Sequence, residues 1–425
     1  MTRPSDSPSY YRASANPHPQ HPRLKGKHEA DVCVVGAGFT GLSAALELAE
    51  RGFTVAVVEA ETVGWGASGR NGGQICTGFS TSMNKLEAQV GKDDARKCWA
   101  LAEEAKTLMR ERIERYAIDC DLKWGYINVA PKPGDRSYLE EMQAEYAAYG
   151  YDDTEILSKE QLEERLGSRL YHGALRDGGA GHLHPLNYCL GLADAAIGHG
   201  AKIFENSEVT RVDTGAKPQV HTSQGVVKAK FVVIAGNAYL GKLMPGLYAK
   251  IMPVGSFILA TEPLGENRAR GLIRDDDAIC DTNFVVDYFR LSGDQRMLFG
   301  GRCSYSTIEP KDLAGFMRPR LLKVFPQLDD VKLEYCWGGY IGITMNRIPD
   351  MGRIGDTVYY AHGYSGQGVL LTGIYGKLIA EAIAGQAERF DLLSRFKHTS
   401  FPGGPIRTPM LVLAMLYHRM LDLVG

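Results

Sequence analysis

Residues 31–60 contain the pattern that most restricts how this chain can fold: strand, glycine-rich turn, helix, second strand and a final acidic residue. Gly36, Gly38 and Gly41 have the G-x-G-x-x-G spacing, which allows a tight turn, a close approach of backbone to pyrophosphate and tight helix–strand packing. The helix N-terminus offers free N–H groups to phosphate oxygens. Glu59 stands where a carboxylate accepts a hydrogen bond from a ribose 2′-hydroxyl. The unit predicts a dinucleotide site.

The same spacing occurs again at Gly64, Gly66 and Gly69, but without the flanking elements. No apolar strand leads into this stretch and no helical pattern leaves it. The glycine string alone is weak evidence, because a phosphate-binding turn must follow a strand and begin a helix. We interpret the second match as a coincidence within a glycine-rich loop.

Composition excludes several classes of protein. The 425 residues are enough for two domains, and a formal net charge of −2 gives no basic field to attract nucleic acid or anionic lipid. No apolar run reaches the length of a transmembrane helix, and no secretory signal is visible. The eight cysteines are scattered, without metal-ligand spacing, which is typical of free thiols in a reducing compartment. We expect a cytoplasmic protein with no metal site and no nucleic-acid partner.

The order of the predicted elements indicates an α/β chain, α+β overall, whose nucleotide domain is assembled from separate segments. An amphipathic helix is predicted over 92–117, and capping boxes are predicted at Ser137 and Ser158. Predicted strands crowd between residues 201 and 341, and a strand–turn–helix unit returns only near 358–383. We expect a Rossmann-like dinucleotide-binding domain formed by 28–88, 154–240 and 345–390, with an interleaved, mainly antiparallel-β substrate domain formed by 89–153 and 241–344.

The two ends of the chain differ from the rest. Residues 1–27 carry five prolines and little apolar surface, so we expect an extended arm there. Residues 391–425 form a tail whose apolar run, 410–417, suits a helix docked on its own core. A membrane-surface helix or a dimer contact is the alternative at that run.

Two further glycine-rich loops carry chemistry. The first, 64–74, follows the ribose-binding acid, and its Ser68, Arg70, Asn71 and Gln74 supply hydrogen bonds to a phosphate or a ring edge. The second, 363–369, opens the last long helix. The N-terminus of that helix stabilises negative charge on a flat redox cofactor in the same way as it holds phosphate.

These loops, with the sequence WGGYIGITMNRIPDMG at 337–352, resemble the D-amino-acid oxidase/glycine oxidase/sarcosine oxidase superfamily of FAD enzymes. The resemblance extends from about residue 28 to about residue 400. Longer strings, among them SYYRASAN (9–16), YFRLSGDQRMLFGG (288–301) and FPGG (401–404), are similar to the γ-glutamyl amine oxidases of that superfamily.

The resemblance implies that FAD is the cofactor and that it is bound non-covalently. The pyrophosphate would contact the glycine-rich turn, and the ribose would contact Glu59. The isoalloxazine ring would contact the two loops 64–74 and 363–369. The implied FAD-binding residues are Gly36, Ala37, Gly38, Thr40, Gly41, Glu59, Ala60, Ser68, Arg70, Asn71, Gly72, Gly73, Gln74, Val209, Ala235, Gly236, Tyr364, Ser365, Gly366, Gln367, Gly368 and Val369.

The implied reaction is hydride transfer from the carbon of a primary γ-glutamyl amine to flavin N5, giving an aldehyde, ammonia and hydrogen peroxide, with molecular oxygen as acceptor. Only the neutral amine donates hydride well. An alkylamine has a pKa of about 10.4, so binding it neutral at pH 7 costs about 4–5 kcal/mol. We therefore expect an apolar or aromatic pocket that lowers the pKa of the amine by desolvation.

Candidate residues for this pocket come from the same strings. The candidate catalytic residues beside the flavin are Gln74, Tyr288, Trp337 and Tyr364. The candidate substrate contacts are Phe289, Tyr340, Arg290 and Arg302, because a guanidinium binds a carboxylate such as that of a glutamyl group in a fork.

The sequence departs from the sarcosine oxidases at two positions. Their oxygen-activating lysine corresponds by spacing to Leu298, and the cysteine that attaches their flavin has only a loose counterpart in Cys336. His182 and His184 could be interpreted as metal ligands or as a catalytic base, but we expect structural roles for both. Two alternatives to an oxidase stay open: a dehydrogenase that passes electrons to a quinone, and a flavin-binding redox sensor without turnover.

Overall fold

Two β-sheets organise the part of the chain that the computed structural model describes, namely residues 9–283, 285–304 and 309–404. The side chains of Arg302 and Cys303 lie outside this description, as does the whole predicted segment 410–417. The helices of the described part are α1 (Tyr10–Ala13), α2 (Phe39–Glu50), α3 (Met83–Val90), α4 (Lys92–Arg115), α5 (Asp135–Ala148), α6 (Lys159–Glu163), α7 (Pro185–Gly198), α8 (Pro245–Lys250), α9 (Glu266–Leu272), α10 (Leu313–Val324), α11 (Gly368–Ile383) and α12 (Glu388–Ser394). None of them is long and apolar enough to cross a membrane.

The strands follow in the same order along the chain. They are β1 (Gly26–Val35), β2 (Val55–Val58), β3 (Gln74–Ile75), β4 (Lys123–Val129), β5 (Thr154–Leu157), β6 (Ala174–His182), β7 (Lys202–Phe204), β8 (Val209–Asp213), β9 (Gln219–Thr222), β10 (Gly225–Ile234), β11 (Ile251–Thr261), β12 (Ala278–Asp281), β13 (Tyr288–Leu291), β14 (Met297–Ser304), β15 (Leu333–Thr344), β16 (Asp350–Ile354) and β17 (Val358–His362).

The first sheet has a parallel centre, with the strand order β16-β17-β10-β1-β2-β7. Strand β1 pairs in parallel with β10 and β2, and β10 pairs in parallel with β17. Strands β1, β2 and β10 end on buried apolar residues, and all five residues of β17 are buried, as is typical of a parallel sheet covered on both faces. The first sheet is therefore the Rossmann-like layer that the sequence predicted, assembled from segments some 330 residues apart in the chain.

The second sheet is mainly antiparallel, in the order β15-β11-β14-β13-β12-β4-β6-β3, with β5 paired to β6. Its longest pairing joins β11 to β15 from Ile251 opposite Thr344 to Thr261 opposite Leu333. A separate hydrophobic core lies on this sheet and is centred on Phe289, Phe299 and Phe325. The fold is thus α/β in the first layer and α+β overall, as predicted.

Close helix packing covers the first sheet. Helix α11 crosses α2 at Gly376, where a Cβ atom would lie only 2.8 Å from the carbonyl oxygen of Thr40. Helix α4 packs on α11, with Trp99, Ala102 and Met109 buried, and ends at Arg115, close to the predicted limit. A buried ion pair of 2.9 Å between Arg112 and Glu47 ties α4 to α2.

The strand pairing differs from the expected segment boundaries in two places. Strands β3, β5 and β6 lie within segments expected in the nucleotide domain, yet they pair in the second sheet. Helix α4 was expected in the substrate domain but packs on helices of the first layer. The physical reason is that β6 pairs along its length with β4 and β5 and joins β3 to the same sheet. The apolar face of α4 is covered by α11.

Two local expectations are wrong. The N-terminal segment 1–27 is not an extended arm throughout, because Tyr10–Ala13 is a helical turn whose two tyrosines are buried. Aromatic burial outweighs the proline-rich surroundings. The predicted capping box at Ser137 is also wrong: α5 begins two residues earlier, and the Ser137 hydroxyl donates to the carbonyl of Gly134. The capping box at Ser158 and Gln161 is confirmed.

Candidate active site

One cavity of about 1930 Å³ extends from the first sheet to the second. At its inner end it meets the carboxyl ends of β1, β2, β10 and β17, where open parallel sheets bind their ligands. Its outer end is lined by residues of β4, β11, β13 and β15 and of the helices α3 to α5. The cavity is therefore shared by both layers, and its two ends are built from different elements.

The glycine-rich turn at the inner end leaves no space for side chains. Gly36 has φ +107°, and a Cβ atom there would lie 3.0 Å from the carbonyl oxygen of Ala235. A Cβ atom on Gly41 would lie 2.0 Å from the carbonyl oxygen of Gly36. Gly36, Ala37, Gly38 and Thr40 line the cavity, whereas Gly41 lies behind it and lets helix α2 approach the turn.

Glu59 closes this end of the cavity. Its carboxylate accepts hydrogen bonds from the N–H groups of Ala37 at 2.7 Å and Glu61 at 3.0 Å. Burial raises the pKa of Glu59, although both hydrogen bonds act in the opposite direction. The carboxylate thus holds the end of β2 against the glycine-rich turn, and Ala60 lines the cavity beside it.

A third connection at the inner end follows β10. Val209, Ala235 and Gly236, which are among the implied FAD-binding residues, line the cavity. Asn237 and Tyr239 were not among the expected residues. The Asn237 side-chain oxygen accepts from the N–H of Gly363 at 2.9 Å, and the Tyr239 hydroxyl accepts from the N–H of Tyr340 at 3.0 Å. The signal that could have found them is their place just beyond a buried parallel strand.

The loop 64–74 is shaped by its own side chains. Asn71 donates to the carbonyl oxygens of Ala67 and Ser68, both at 2.9 Å, and accepts from the N–H of Gly73 at 2.7 Å. The Ser68 hydroxyl accepts from the N–H of Phe39 at 2.9 Å, which ties the loop to the start of α2. Ser68, Arg70, Asn71, Gly72 and Gln74 line the cavity; Gly73 does not.

The loop 363–369 meets the glycine-rich turn directly. The hydroxyl groups of Tyr364 and Thr40 are 2.8 Å apart and buried. Ser365 has φ +54°, and Tyr364 through Val369 all line the cavity. Within the described residues the buried side-chain oxygen of Gln367 has no hydrogen-bond partner. This oxygen is a free acceptor for an N–H group of a ligand.

Tyr288 lies at the outer end of the cavity and is held between two glycines. A Cβ atom on Gly72 would lie 2.6 Å from its ring, and one on Gly300 only 2.1 Å away. The Tyr288 hydroxyl is 3.3 Å from that of Ser256. Gln74 lines the cavity nearby and donates from its side chain to the carbonyl of Ile279 at 2.9 Å. The ring therefore has one fixed place, beside the loop 64–74.

Three expected pocket residues do not line the cavity. Phe289 points into the second core, where it stacks on Phe299 with ring centroids 5.5 Å apart. The Trp337 side chain is buried, and its ring N–H donates to the carbonyl of Arg70 at 3.0 Å. Arg290 is covered by the loop and binds the Gly72 carbonyl at 2.8 Å, so it is not placed to meet a substrate carboxylate. The Arg302 side chain lies outside the described part.

Two other expectations concern residues away from the cavity. The imidazole of His182 lies 2.7 Å from the carbonyl oxygen of Asp276, and His184 caps helix α7 by accepting from the N–H of Asn187 at 3.1 Å. Burial lowers the pKa of His184 to about 4, so the ring is neutral at pH 7. Leu298 and Cys336 do not line the cavity, and burial raises the pKa of the Cys336 thiol to about 11.

The outer end contains a buried carboxyl group, that of Asp281 on β12. Burial, with the Asp287 carboxylate adding to it, raises the pKa of Asp281 to about 7. Asp281 accepts from the N–H groups of Asn283 at 3.2 Å and Asp287 at 3.0 Å. Sequence reasoning missed this residue, since a single aspartate at the end of a strand has no distinctive pattern.

Comparisons with known proteins show the family of this chain. A family model described as FAD dependent oxidoreductase matches residues 31–382. Over 419 residues the chain is 42% identical to the gamma-glutamylputrescine oxidoreductase of Escherichia coli (strain K12), and the alignment covers 98% of each chain. It is 44% identical over 421 residues to the probable oxidoreductase OrdL of Haemophilus influenzae, covering 97% of each.

Among solved structures, the glycine oxidase of Geobacillus kaustophilus is similar with a TM-score of 0.74 at 24% sequence identity. The match covers 88% of this chain and 100% of that chain. At this level of identity the likeness concerns the fold, including both the parallel and the mainly antiparallel layer.

Proposed function

Because the chain belongs to the FAD dependent oxidoreductase family, we propose that it oxidises a γ-glutamyl amine, γ-glutamylputrescine in the first place, to an aldehyde with release of ammonia. The observation that carries this proposal is the 42% identity, over 98% of both chains, to a gamma-glutamylputrescine oxidoreductase. The shared cavity supports it, because a dinucleotide end and an aromatic end lie in one space.

The inner end fits FAD. The turn at Gly36 and Gly38 would hold the pyrophosphate, and Glu59 would bind the ribose. The loops 64–74 and 363–369 would hold the isoalloxazine ring. The buried, unpartnered oxygen of Gln367 is the observation that most directly suits a ring N–H. Bound there, FAD supplies the acceptor for the hydride of the amine. Attachment through Cys336 is not part of the proposal, since that residue does not line the cavity.

The tyrosines of the cavity would desolvate the amine. Tyr340 and Tyr364 are almost fully buried, and both line the cavity with Tyr288. Burial raises the pKa of Tyr364, so its phenol stays protonated and can donate a hydrogen bond without losing its proton. A low-dielectric wall of this kind favours the neutral amine, from which hydride leaves.

We propose molecular oxygen as the electron acceptor, with hydrogen peroxide as product. The competing candidate is a dehydrogenase that uses a quinone. It is favoured by one observation: Leu298, at the position expected for an oxygen-activating lysine, is an apolar residue buried in the core. We also propose a reducing, cytoplasmic setting, because the cysteines of the described part whose side chains are defined are all free.

Anaerobic mixing tests these proposals. FAD-loaded protein is mixed with γ-glutamylputrescine while the flavin absorbance is followed, and putrescine, which lacks the glutamyl group, is the matched control. We expect rapid bleaching with γ-glutamylputrescine and much slower bleaching with putrescine. No bleaching with either amine would contradict the amine proposal and favour a redox sensor.

Admission of oxygen then separates the two acceptors. An oxidase regains its flavin absorbance quickly and releases one peroxide per amine oxidised. Slow recovery in oxygen, with fast recovery on addition of a soluble quinone, would favour the dehydrogenase.

A further inference from the structure

A buried tyrosine of the N-terminal turn contacts two residues that hold the loop 64–74. Tyr11 has no solvent-exposed surface, although it lies only 11 residues from the start of the chain. Its hydroxyl accepts from the guanidinium of Arg290 at 3.2 Å. Its ring meets the edge of Trp337 with centroids 5.2 Å apart. These contacts bridge the N-terminal turn to β13 and β15.

Arg290 uses its donors to hold backbone rather than a carboxylate. Its Nε donates to the carbonyl of Gly72 at 2.8 Å, and its terminal nitrogens donate to the carbonyls of Leu183 and Leu291, each at 2.9 Å. The N–H of Leu183 in turn donates to the carbonyl of Gly73 at 2.8 Å. Because a guanidinium is planar, one guanidinium fixes all these acceptors relative to one another.

The neighbouring imidazole completes this arrangement. Nδ1 of His182 faces the Arg290 guanidinium at 3.4 Å, and its Nε2 lies 2.7 Å from the carbonyl of Asp276. Burial and the nearby guanidinium lower the pKa of His182 to about 3, so the ring is neutral. A neutral ring that donates from Nε2 leaves Nδ1 free to accept from Arg290.

Trp337 holds the same loop at a second point. Its ring N–H donates to the carbonyl of Arg70 at 3.0 Å, two residues before Gly72. Tyr11 thus contacts the two side chains that bind the carbonyls of Arg70 and Gly72. Both Arg70 and Gly72 line the cavity.

We propose that Tyr11 is a positioning residue for the flavin, acting through Arg290 and Trp337 on the loop 64–74. The proposal rests on the placement of the isoalloxazine ring against that loop given under the proposed function. By this inference the N-terminal turn is a part of the cofactor site that never touches the cofactor. Arg290 holds the loop 64–74 through the Gly72 carbonyl, instead of binding the substrate as expected from the sequence.

The test compares two adjacent tyrosines by the affinity of the protein for FAD. Tyr11→Phe removes the hydroxyl that binds Arg290. Tyr10→Phe is the matched control, because the Tyr10 hydroxyl lies on the same turn but donates to Asp294 at 2.6 Å. FAD-free protein is titrated with FAD and the flavin fluorescence and visible spectrum are recorded. We expect Tyr11→Phe to raise the Kd about tenfold and shift the spectrum, and Tyr10→Phe to leave both within twofold.

A second variant keeps the proposal open to refutation. Arg290→Lys preserves the charge but removes the planar fork. Its effect on the Kd should not add to that of Tyr11→Phe, since the Tyr11 hydroxyl acts through the Arg290 guanidinium. Equal losses in the two tyrosine variants, an unchanged Kd and spectrum in Tyr11→Phe, or additive losses with Arg290→Lys would each overturn the proposal. No amine is present in this experiment, so a failure of the proposed reaction would be seen separately.

Discussion

The two ends of the cavity are built in different ways. The inner end uses backbone: the turn at Gly36, the N–H groups bound by Glu59 and the loop 363–369 place main-chain atoms against the ligand space. The outer end uses side chains such as Tyr288 and Tyr340, which come from strands far apart in sequence. The inner end therefore depends on the absence of side chains, and the outer end depends on the exact packing of side chains.

Each end also holds a buried carboxyl group whose pKa is raised by burial. Glu59 at the inner end accepts from two backbone N–H groups that belong to the turn. Asp281 at the outer end has a second carboxylate, that of Asp287, as a neighbour. The first group shapes the backbone for a ligand, whereas the second is poised to titrate near neutral pH.

The largest effect is expected at the inner end, from Gly41→Ala. The added Cβ atom would lie 2.0 Å from the carbonyl oxygen of Gly36, so the turn must move away from helix α2. We expect at least a hundredfold loss of FAD affinity, measured by titration of FAD-free protein. Gly198→Ala, where a Cβ atom meets nothing within 4 Å, is the control. Normal FAD binding in Gly41→Ala would break the contrast between the two ends.

A smaller and different effect is expected from Gly300→Ala. Its Cβ atom would lie 2.1 Å from the ring of Tyr288, so the ring must leave its place between Gly300 and Gly72. We expect kcat/KM for γ-glutamylputrescine to fall about 30-fold, since misplacement by about 1 Å is costly in catalysis, with FAD affinity changed less than tenfold. Gly271→Ala, in open space on α9, is the control. A loss of FAD without a loss of turnover per bound FAD would contradict this.

The smallest effect is expected from Asp281→Asn, on the pH dependence of the free energy of unfolding. The pKa of Asp281 in the folded protein, about 7, is above its ordinary value of 3.8, so the folded state binds this proton more tightly. The stability that it contributes is therefore present at low pH and is lost as pH rises through 7. Between pH 6 and 7 the wild-type free energy of unfolding should fall by about 1 kcal/mol more than that of the variant.

Urea denaturation at several pH values measures this difference. Asp356→Asn, on an exposed turn, is the control and should follow the wild type. Parallel pH profiles for the wild type and Asp281→Asn would show that the outer carboxyl group does not titrate in this range.

Much of the inner end could be predicted from the sequence because its signals are local. Gly36, Gly38, Gly41 and Glu59 lie in one 24-residue stretch, and the spacing itself specifies strand, turn and helix. The loop 363–369 was found for the same reason. Asn237 was missed because it takes part in the site through a hydrogen bond with Gly363, 126 residues away, and no local sequence pattern indicates such a contact.

The outer end could be predicted only in part. Alternation along β13 places Tyr288 and Arg290 on one face and Phe289 on the other, but it does not say what covers either face. The loop at Gly72 covers Arg290 and leaves Tyr288 in the cavity. The burial of Tyr11 was missed because the proline-rich flanking sequence predicts extended chain. The short helical turn that carries Tyr11 is stabilised by long-range packing, which the local sequence does not indicate.

The hydroxyl contact between Thr40 and Tyr364 joins residues 324 positions apart. During synthesis the first βαβ unit leaves the ribosome long before the segment that carries Tyr364. The end of the cavity proposed for the flavin is thus completed only when β17 has joined the sheet and α11 has packed on α2. Such long sequence separation slows folding, so an early nascent chain carries an exposed, half-built nucleotide turn. We therefore expect capture of FAD to follow the addition of β17, and truncation before Tyr364 to abolish FAD binding as completely as damage to the first glycines.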